Sequence, residues 1–357
     1  MEFGPSMELK RYRLRPFEEA DYDALVELDR EAFPESPPTA EDERQWDRIL
    51  AVDHRVNEKW VVEERESGQV VASAGLNHTP YSYDSHKFWV WVFVRSSHRH
   101  RGIGRALASL LDAEATAHHA ICFWASVRKG DDRNLDFAGR QGFVELRTTW
   151  MSVLDLHRVD LTSFEDRTSA LQREGIRFTT LAEEGPRDPS VRRRIYELWS
   201  ETSRDVPRMG PYTPSTFAEF AADLDGPSTI PEAFFLAAHG ETYVGSSNLN
   251  RDLASPDALI VGYTGVRSAF RGKGLAKELK RRTAEYARGN HIRYLRTFND
   301  SLNHPIWAIN EKMGFLRTVE LSQQERRFRP DPPAPESSPG PPAGSGESAG
   351  PPKSLPR

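Results

Sequence analysis

Two stretches of this chain, 172 residues apart, share one pattern, and that duplication constrains the fold more than any other feature. Val94-Arg-Ser-Ser-His-Arg99-His-Arg-Gly102-Ile-Gly104 recurs as Val266-Arg-Ser-Ala-Phe-Arg271-Gly-Lys-Gly274-Leu-Ala276, with 271 − 99 = 172. Upstream, Val71-Ala-Ser-Ala-Gly-Leu-Asn77 matches Val244-Gly-Ser-Ser-Asn-Leu-Asn250, with 250 − 77 = 173. Downstream, Gly142-Phe143 and Gly314-Phe315 are again 172 apart. Solenoid units run about 20–50 residues, so a period this long marks two copies of one domain. A chain of 357 residues holds two domains of ordinary size, each able to bury a core.

The second copy of the loop is the easier to read. Ala258 to Val266 is apolar and partly β-branched, as in a buried strand. Leu275, Leu279, Thr283, Tyr286 and Ala287 then recur near a helical period, giving one apolar face. Between them, Gly272 and Gly274 permit dihedrals that other residues resist and let the backbone approach a ligand closely. Amides gathered at a helix N-terminus form an anion site, and the helix dipole reinforces it. A phosphate ligand is therefore expected. The stretch lacks the Gly-Lys-Ser/Thr of a P-loop and the last glycine of G-x-G-x-x-G.

The pattern Arg271-x-x-Gly274-x-Ala276, five residues after a strand valine, resembles the pyrophosphate loop of the GCN5-related N-acetyltransferase (GNAT) family. The resemblance implies an α/β fold: two tandem GNAT-like domains, each a mixed central sheet flanked by helices. It implies acetyl-CoA as co-substrate, without a metal, and transfer to an amine in a ternary complex. Loop amides would hold the pyrophosphate, and the preceding strand would splay to bond the pantetheine arm. By motif, Val266, Arg267, Arg271, Gly272, Lys273, Gly274 and Ala276 take those roles in the second copy. In the first they fall to Val94, Arg95, Arg99, Arg101, Gly102 and Gly104.

Transfer also needs an oxyanion donor and groups that move protons. The family often carries Asn-x-x-Ala-x-x-x-Tyr-x-x-x-Gly-Phe, with Asn on the cofactor and Tyr protonating the thiolate. Here Asn303 and Gly314-Phe315 match, and Asn310 replaces the tyrosine; an amide can hydrogen-bond sulfur but cannot act as an acid. In the first copy Asp131 and Ala138 fall at the Asn and Tyr positions. The main active site is therefore expected in the second copy. The tandem arrangement is similar to that of the mycothiol synthases, from which the missing tyrosine departs. Candidates for the base are Tyr263, His304 and Glu311. Asn250 and Asn299, at strand ends, are candidate substrate contacts. The expected acceptor is a primary amine of a small molecule. The alternatives are a catalytically silent acyl-CoA-binding scaffold and a protein N-acetyltransferase.

Composition narrows the partners. A net charge of −5 argues against a general nucleic-acid binder. The single Cys122 rules out an intramolecular disulfide and a cysteine metal cluster, and its strand setting points to packing. The longest apolar run, Phe88 to Val94, is too short to span a bilayer, and Met1-Glu-Phe-Gly-Pro-Ser has no apolar signal core. A cytoplasmic protein is expected, with no membrane partner; sequence gives no oligomeric state. The organisation expected is an N-terminal domain at 8–158, a connecting helix or linker at 159–174, and a C-terminal domain at 175–329. A disordered Pro/Gly/Ser-rich tail at 330–357 follows.

Overall fold

The structure, a computed structural model, describes residues 9–51, 54–161 and 166–331. Nearly all of the 330–357 segment therefore lies outside the described residues. The first copy runs β1 (Tyr12–Pro16), α1 (Tyr22–Ala32), α2 (Ala40–Leu50), β2 (Asn57–Glu64), β3 (Val70–Asn77) and β4 (Lys87–Val94). It continues through α3 (Ile103–Ala117), β5 (Cys122–Arg128), α4 (Asp132–Arg140) and β6 (Val144–Asp155). After α5 (Thr168–Arg173) come β7 (Ile176–Thr180), α6 (Leu181–Glu184), α7 (Pro189–Thr202), α8 (Phe217–Leu224) and β8 (Thr229–His239). The chain then adds β9 (Thr242–Arg251), β10 (Ala258–Val266), α9 (Leu275–Gly289), β11 (Tyr294–Asp300), α10 (His304–Lys312) and β12 (Leu316–Arg327). The mixed α/β sheet and the repeated order agree with the sequence reading.

Local chemistry explains several of the ends. Thr39 and Thr216 accept from the third amide of α2 and α8 and complete capping boxes with Asp42 and Glu219. Asp188 caps α7 ahead of Pro189, whose missing N–H costs nothing at that position. Arg167 at the start of α5 donates its backbone N–H to Glu278, a buried carboxylate on α9 that also holds Thr168, Arg281 and Arg282. The connecting segment is thereby tied to the first turns of α9.

All twelve strands form one sheet in the order β1-β2-β3-β4-β5-β12-β6-β11-β10-β9-β8-β7. This order exchanges a strand between the two copies. Read along the sequence, β6 closes the first copy; in the structure it lies beside β11 of the second, while β12 lies beside β5 of the first. The register makes the exchange symmetric. Thr149 faces Leu321, and 321 − 149 = 172, so equivalent residues meet at a pseudo-twofold axis. Arg128 pairs Leu321 on one side as Asp300 pairs Thr149 on the other. Because β5 and β11 are equivalent edges, an exchanged and an unexchanged strand have the same sequence pattern, and only tertiary structure separates them.

Lys280 is a visible anomaly in this core. It is 1 % exposed on the inner face of α9, its ammonium 5.3 Å from the Phe315 ring centre, and burial pulls its pKa down to about 7. A lysine whose folded pKa lies below its unfolded one costs stability increasingly as pH falls from about 10.4 toward 7, and by a constant amount below that. Lys280→Met should therefore raise unfolding stability by ~2–4 kcal/mol near neutral pH. The gain should shrink toward pH 10 in chemical denaturation. An equal gain at pH 7 and pH 10 would contradict the assignment.

Candidate active site

β10 pairs with β11 in parallel only from Ala258 to Ile260, opposite Tyr294 to Arg296. A bulge between Val261 and Thr264 then interrupts its pairing with β9. A bulge bends its strand and increases twist, so beyond it β10 leaves β11 and a V opens in the sheet. The Arg267 N–H donates to Val244 O on the β9 side at 2.9 Å. Strand alternation therefore turns the amides of Thr264 and Val266 the other way, into the V. In the bulge the Tyr263 N–H donates to Asn248 Oδ1 at 2.8 Å, and Asn248 Nδ2 donates to Asn250 Oδ1 at 2.9 Å. A Cβ on Gly262 would come within 2.6 Å of Asn248 Nδ2, so glycine is needed for the plug to fit.

The loop that follows has the expected anion-binding form. Gly272 and Gly274 have φ of 78° and 85°, and Gly274 is the N-cap of α9 without any side-chain cap. The first amides of α9, near Leu275 and Ala276, thus have no intrahelical acceptor and no capping side chain. The charged residues around the loop mostly brace it. Arg271 Nε donates to Val266 O at 2.9 Å and its guanidinium pairs with Asp205 at 2.5 Å. Arg267 bonds Tyr243 O and pairs with Glu201; Lys273 pairs with Glu174 at 2.9 Å. The Arg167 guanidinium lies against Gly274.

The first copy repeats this loop with differences. Arg99 Nε donates to Val94 O at 3.0 Å, as Arg271 does to Val266. Gly102 has φ 87°, but the position of Gly272 is taken by His100 at φ 63°. Arg101 donates to Tyr12 Oη, Arg95 pairs with Glu27, and the Phe137 ring packs beside Gly104. β4 meets β3 in unbroken register, with no bulge. Trp91, the counterpart of Tyr263, lays its indole over Gly75 of the neighbouring strand. The second copy has Asn248 at the position of Gly75, and its side chain bonds the bulge where the first copy has the Trp91 ring.

A cavity of about 580 Å³ opens onto the second V. Tyr263, Asn250, Asn299 and Asn303 all line it, so four of the residues singled out by sequence come together. The Tyr263 ring lies back over Gly265, where a Cβ would fall 2.6 Å from the ring and 2.7 Å from Thr202 Oγ1. Burial pushes the Tyr263 phenol up to about 12. His304 is exposed at the start of α10 and outside the cavity lining, and Glu311 is exposed and paired with Arg317. Asn310 is buried behind the wall: its Nδ2 donates to Asn299 Oδ1 at 2.7 Å, and its own Oδ1 is buried without a partner. It positions Asn299 rather than facing the cavity.

Sequence reasoning missed Asn248, although a polar residue two before Asn250 shares its strand face and could have been found by alternation. It also missed Arg208, Tyr212 and Asp223 from the second copy and Tyr81 and Trp89 from the first. Those come from the segments around α7 and α8 and from the other copy, and carry no motif.

A sequence family described as the acetyltransferase (GNAT) family matches residues 22–143 and 192–315. The chain belongs to the GNAT family, with two repeats of its domain. A tandem GNAT protein from the clavulanic acid biosynthesis pathway superposes with TM-score 0.70 at 20 % identity, covering 90 % of this chain and 100 % of that one. A GCN5-related N-acetyltransferase from Sphaerobacter thermophilus gives 0.64 at 20 % identity over 90 % and 96 % of the two chains. The GCN5-related glucosamine N-acetyltransferase region of a fungal multi-domain β-N-acetylglucosaminidase gives 0.65 at 12 % identity, covering 88 % of this chain and 38 % of that one. At such identities the likeness speaks for the fold alone. No curated protein sequence is significantly similar to the chain. Among the described residues no helix is long and apolar enough to cross a membrane.

Proposed function

We propose that the protein is an acetyl-CoA-dependent N-acetyltransferase acting on a primary amine of a small molecule, with its main active site in the second copy. The observation that carries this reading is the bulged V of β10 and β11 opening directly onto the 580 Å³ cavity, which is of a size for a small acceptor. The loop amides of residues 272–276 take the pyrophosphate, and the inward amides of Thr264 and Val266 hold the pantetheine arm and the thioester oxygen. The neutral amine nitrogen attacks the thioester carbon and loses a proton to solvent, the C–S bond breaks, and the thiolate takes a proton to leave as the thiol. Tyr263 keeps its proton at neutral pH and is unsuited to the role of base; as a cavity-lining hydroxyl it is the donor assigned to that thiolate. Asn250 and Asn299 orient the amine. The unbroken register of β4, which lacks the bulge of β10, favours a structural or cofactor-binding part for the first copy.

The test is release of CoA thiol from acetyl-CoA when amines are supplied. Tyr263→Phe should lower kcat by about 100-fold and leave acetyl-CoA affinity unchanged. A variant with wild-type kcat would remove Tyr263 from the chemistry. Binding of acetyl-CoA with no turnover of any amine would favour the silent scaffold instead.

A further inference from the structure

We propose that the acceptor amine also carries a carboxylate, bound by Arg208 beside the transfer point, which makes it an amino-acid-like zwitterion. This rests on the acetyltransferase reading of the same cavity and adds the class of acceptor. The charges of the wall are its basis. Two arginines adjoin there. Arg147 is committed: its Nε lies 3.2 Å from Asp300 Oδ2 and 3.2 Å from Met209 Sδ. Arg208 is not. One guanidinium nitrogen donates to Ser203 O, the plane lies 4.5 Å over the Tyr212 ring, and Nη1 is buried with no hydrogen-bond partner. Among the described residues no carboxylate pairs with it, and burial lowers its pKa.

A desolvated guanidinium without a counter-ion is costly, and its planar fork fits a carboxylate. Arg208 lines the same cavity as Gly262 and Tyr263, so an anion bound there shares that cavity with the splayed strand. The acceptor then carries its amine and its carboxylate within one cavity of about 580 Å³. The same cavity also carries acidic residues. Glu219 is held by Arg55 at 2.5 Å, but Asp223 lines the cavity with no cationic partner among the described residues, and burial raises its pKa. That residue suits a hydrogen-bond-donating or cationic side chain of the same acceptor.

The experiment compares α-amino acids with their decarboxylated counterparts (L-lysine with cadaverine, L-ornithine with putrescine, and so through the common set). Thiol release is read with acetyl-CoA, and binding is read by calorimetry with CoA present. At least one acid should be acetylated with kcat/KM about 100-fold above its decarboxylated partner. Arg208→Gln should raise that acid's KM by about 100-fold with acetyl-CoA affinity unchanged, and Arg208→Lys should recover part of the loss. Equal use of acids and bare amines overturns the inference while leaving the acetyltransferase reading intact. So does an Arg208→Gln variant with unchanged KM, or one that loses acetyl-CoA instead. Binding of no carboxylated amine by wild type also overturns it. Failure to bind acetyl-CoA removes the underlying reading as well.

Discussion

Gly274→Glu is expected to abolish acetyl-CoA binding, weakening it by about 100-fold or more, whereas Gly102→Glu leaves the tighter site in place. A carboxylate in a nest of amides meets the pyrophosphate as a like charge, which costs several kcal/mol. Residue 274 also has φ 85°, and a side chain there would press on the Arg167 guanidinium at 2.7 Å. A loss could therefore come from a damaged loop, and a second variant separates the causes. Gly272 has open space around it, and its counterpart His100 already holds φ 63° in the first copy with a full side chain. Gly272→Asp should keep the melting profile of the wild type while still placing a negative charge at the rim. Calorimetry on the three variants then decides. If Gly102→Glu alone removes binding, the active copy has been misassigned. If none of them changes the affinity, the loops do not hold the cofactor.

The parts of the site that sequence displayed are those fixed by backbone geometry. Gly274 and its counterpart Gly102 are glycine because the N-cap of the helix there needs positive φ, a signal that the repeat doubled. Tyr263, Asn250, Asn299 and Asn303 were legible because strand ends and a helix start place them at the opening. What stayed hidden depends on side chains meeting from afar. Arg271 has the motif's position, yet it braces the loop through Val266 O and Asp205. His304 has a suitable chemistry, but the first residue of α10 points to solvent. Asn310 replaces the family's tyrosine and is drawn into the wall by its bond to Asn299, so the proposed proton donor moves to Tyr263 on β10. Arg208 lies in a loop and Asp223 on α8, segments packed against the other copy, and no spacing rule reveals them.

Cutting the chain between Asp155 and Thr168 should leave neither half able to fold as it does in the whole protein. Residues 166–331 alone carry β12 without β5 and β11 without β6, so two strands of twelve and seven residues lose a partner edge. The exchanged strands are also joined by a buried polar ladder. Ser126 Oγ donates to Gln323 Oε1 at 2.8 Å, Gln323 Nε2 to Thr149 Oγ1 at 2.8 Å, and Ser322 Oγ to Glu145 Oε2 at 2.7 Å. Ser126, Thr149 and Glu145 are all supplied by the first half, so the cut removes all three bonds. The cavity loses Tyr81, Trp89 and Arg147 in the same cut. The second half produced alone should therefore aggregate, or dimerise by pairing its own β12 with a second copy, and bind acetyl-CoA poorly. Co-expression with the first half should restore a one-to-one complex and binding, because exposed strand edges are templates for their missing neighbours. Size-exclusion chromatography with light scattering and calorimetry reads both results. A monomeric second half with the full chain's affinity would show that β12 can fold back onto β11, and that the exchange is dispensable for the site.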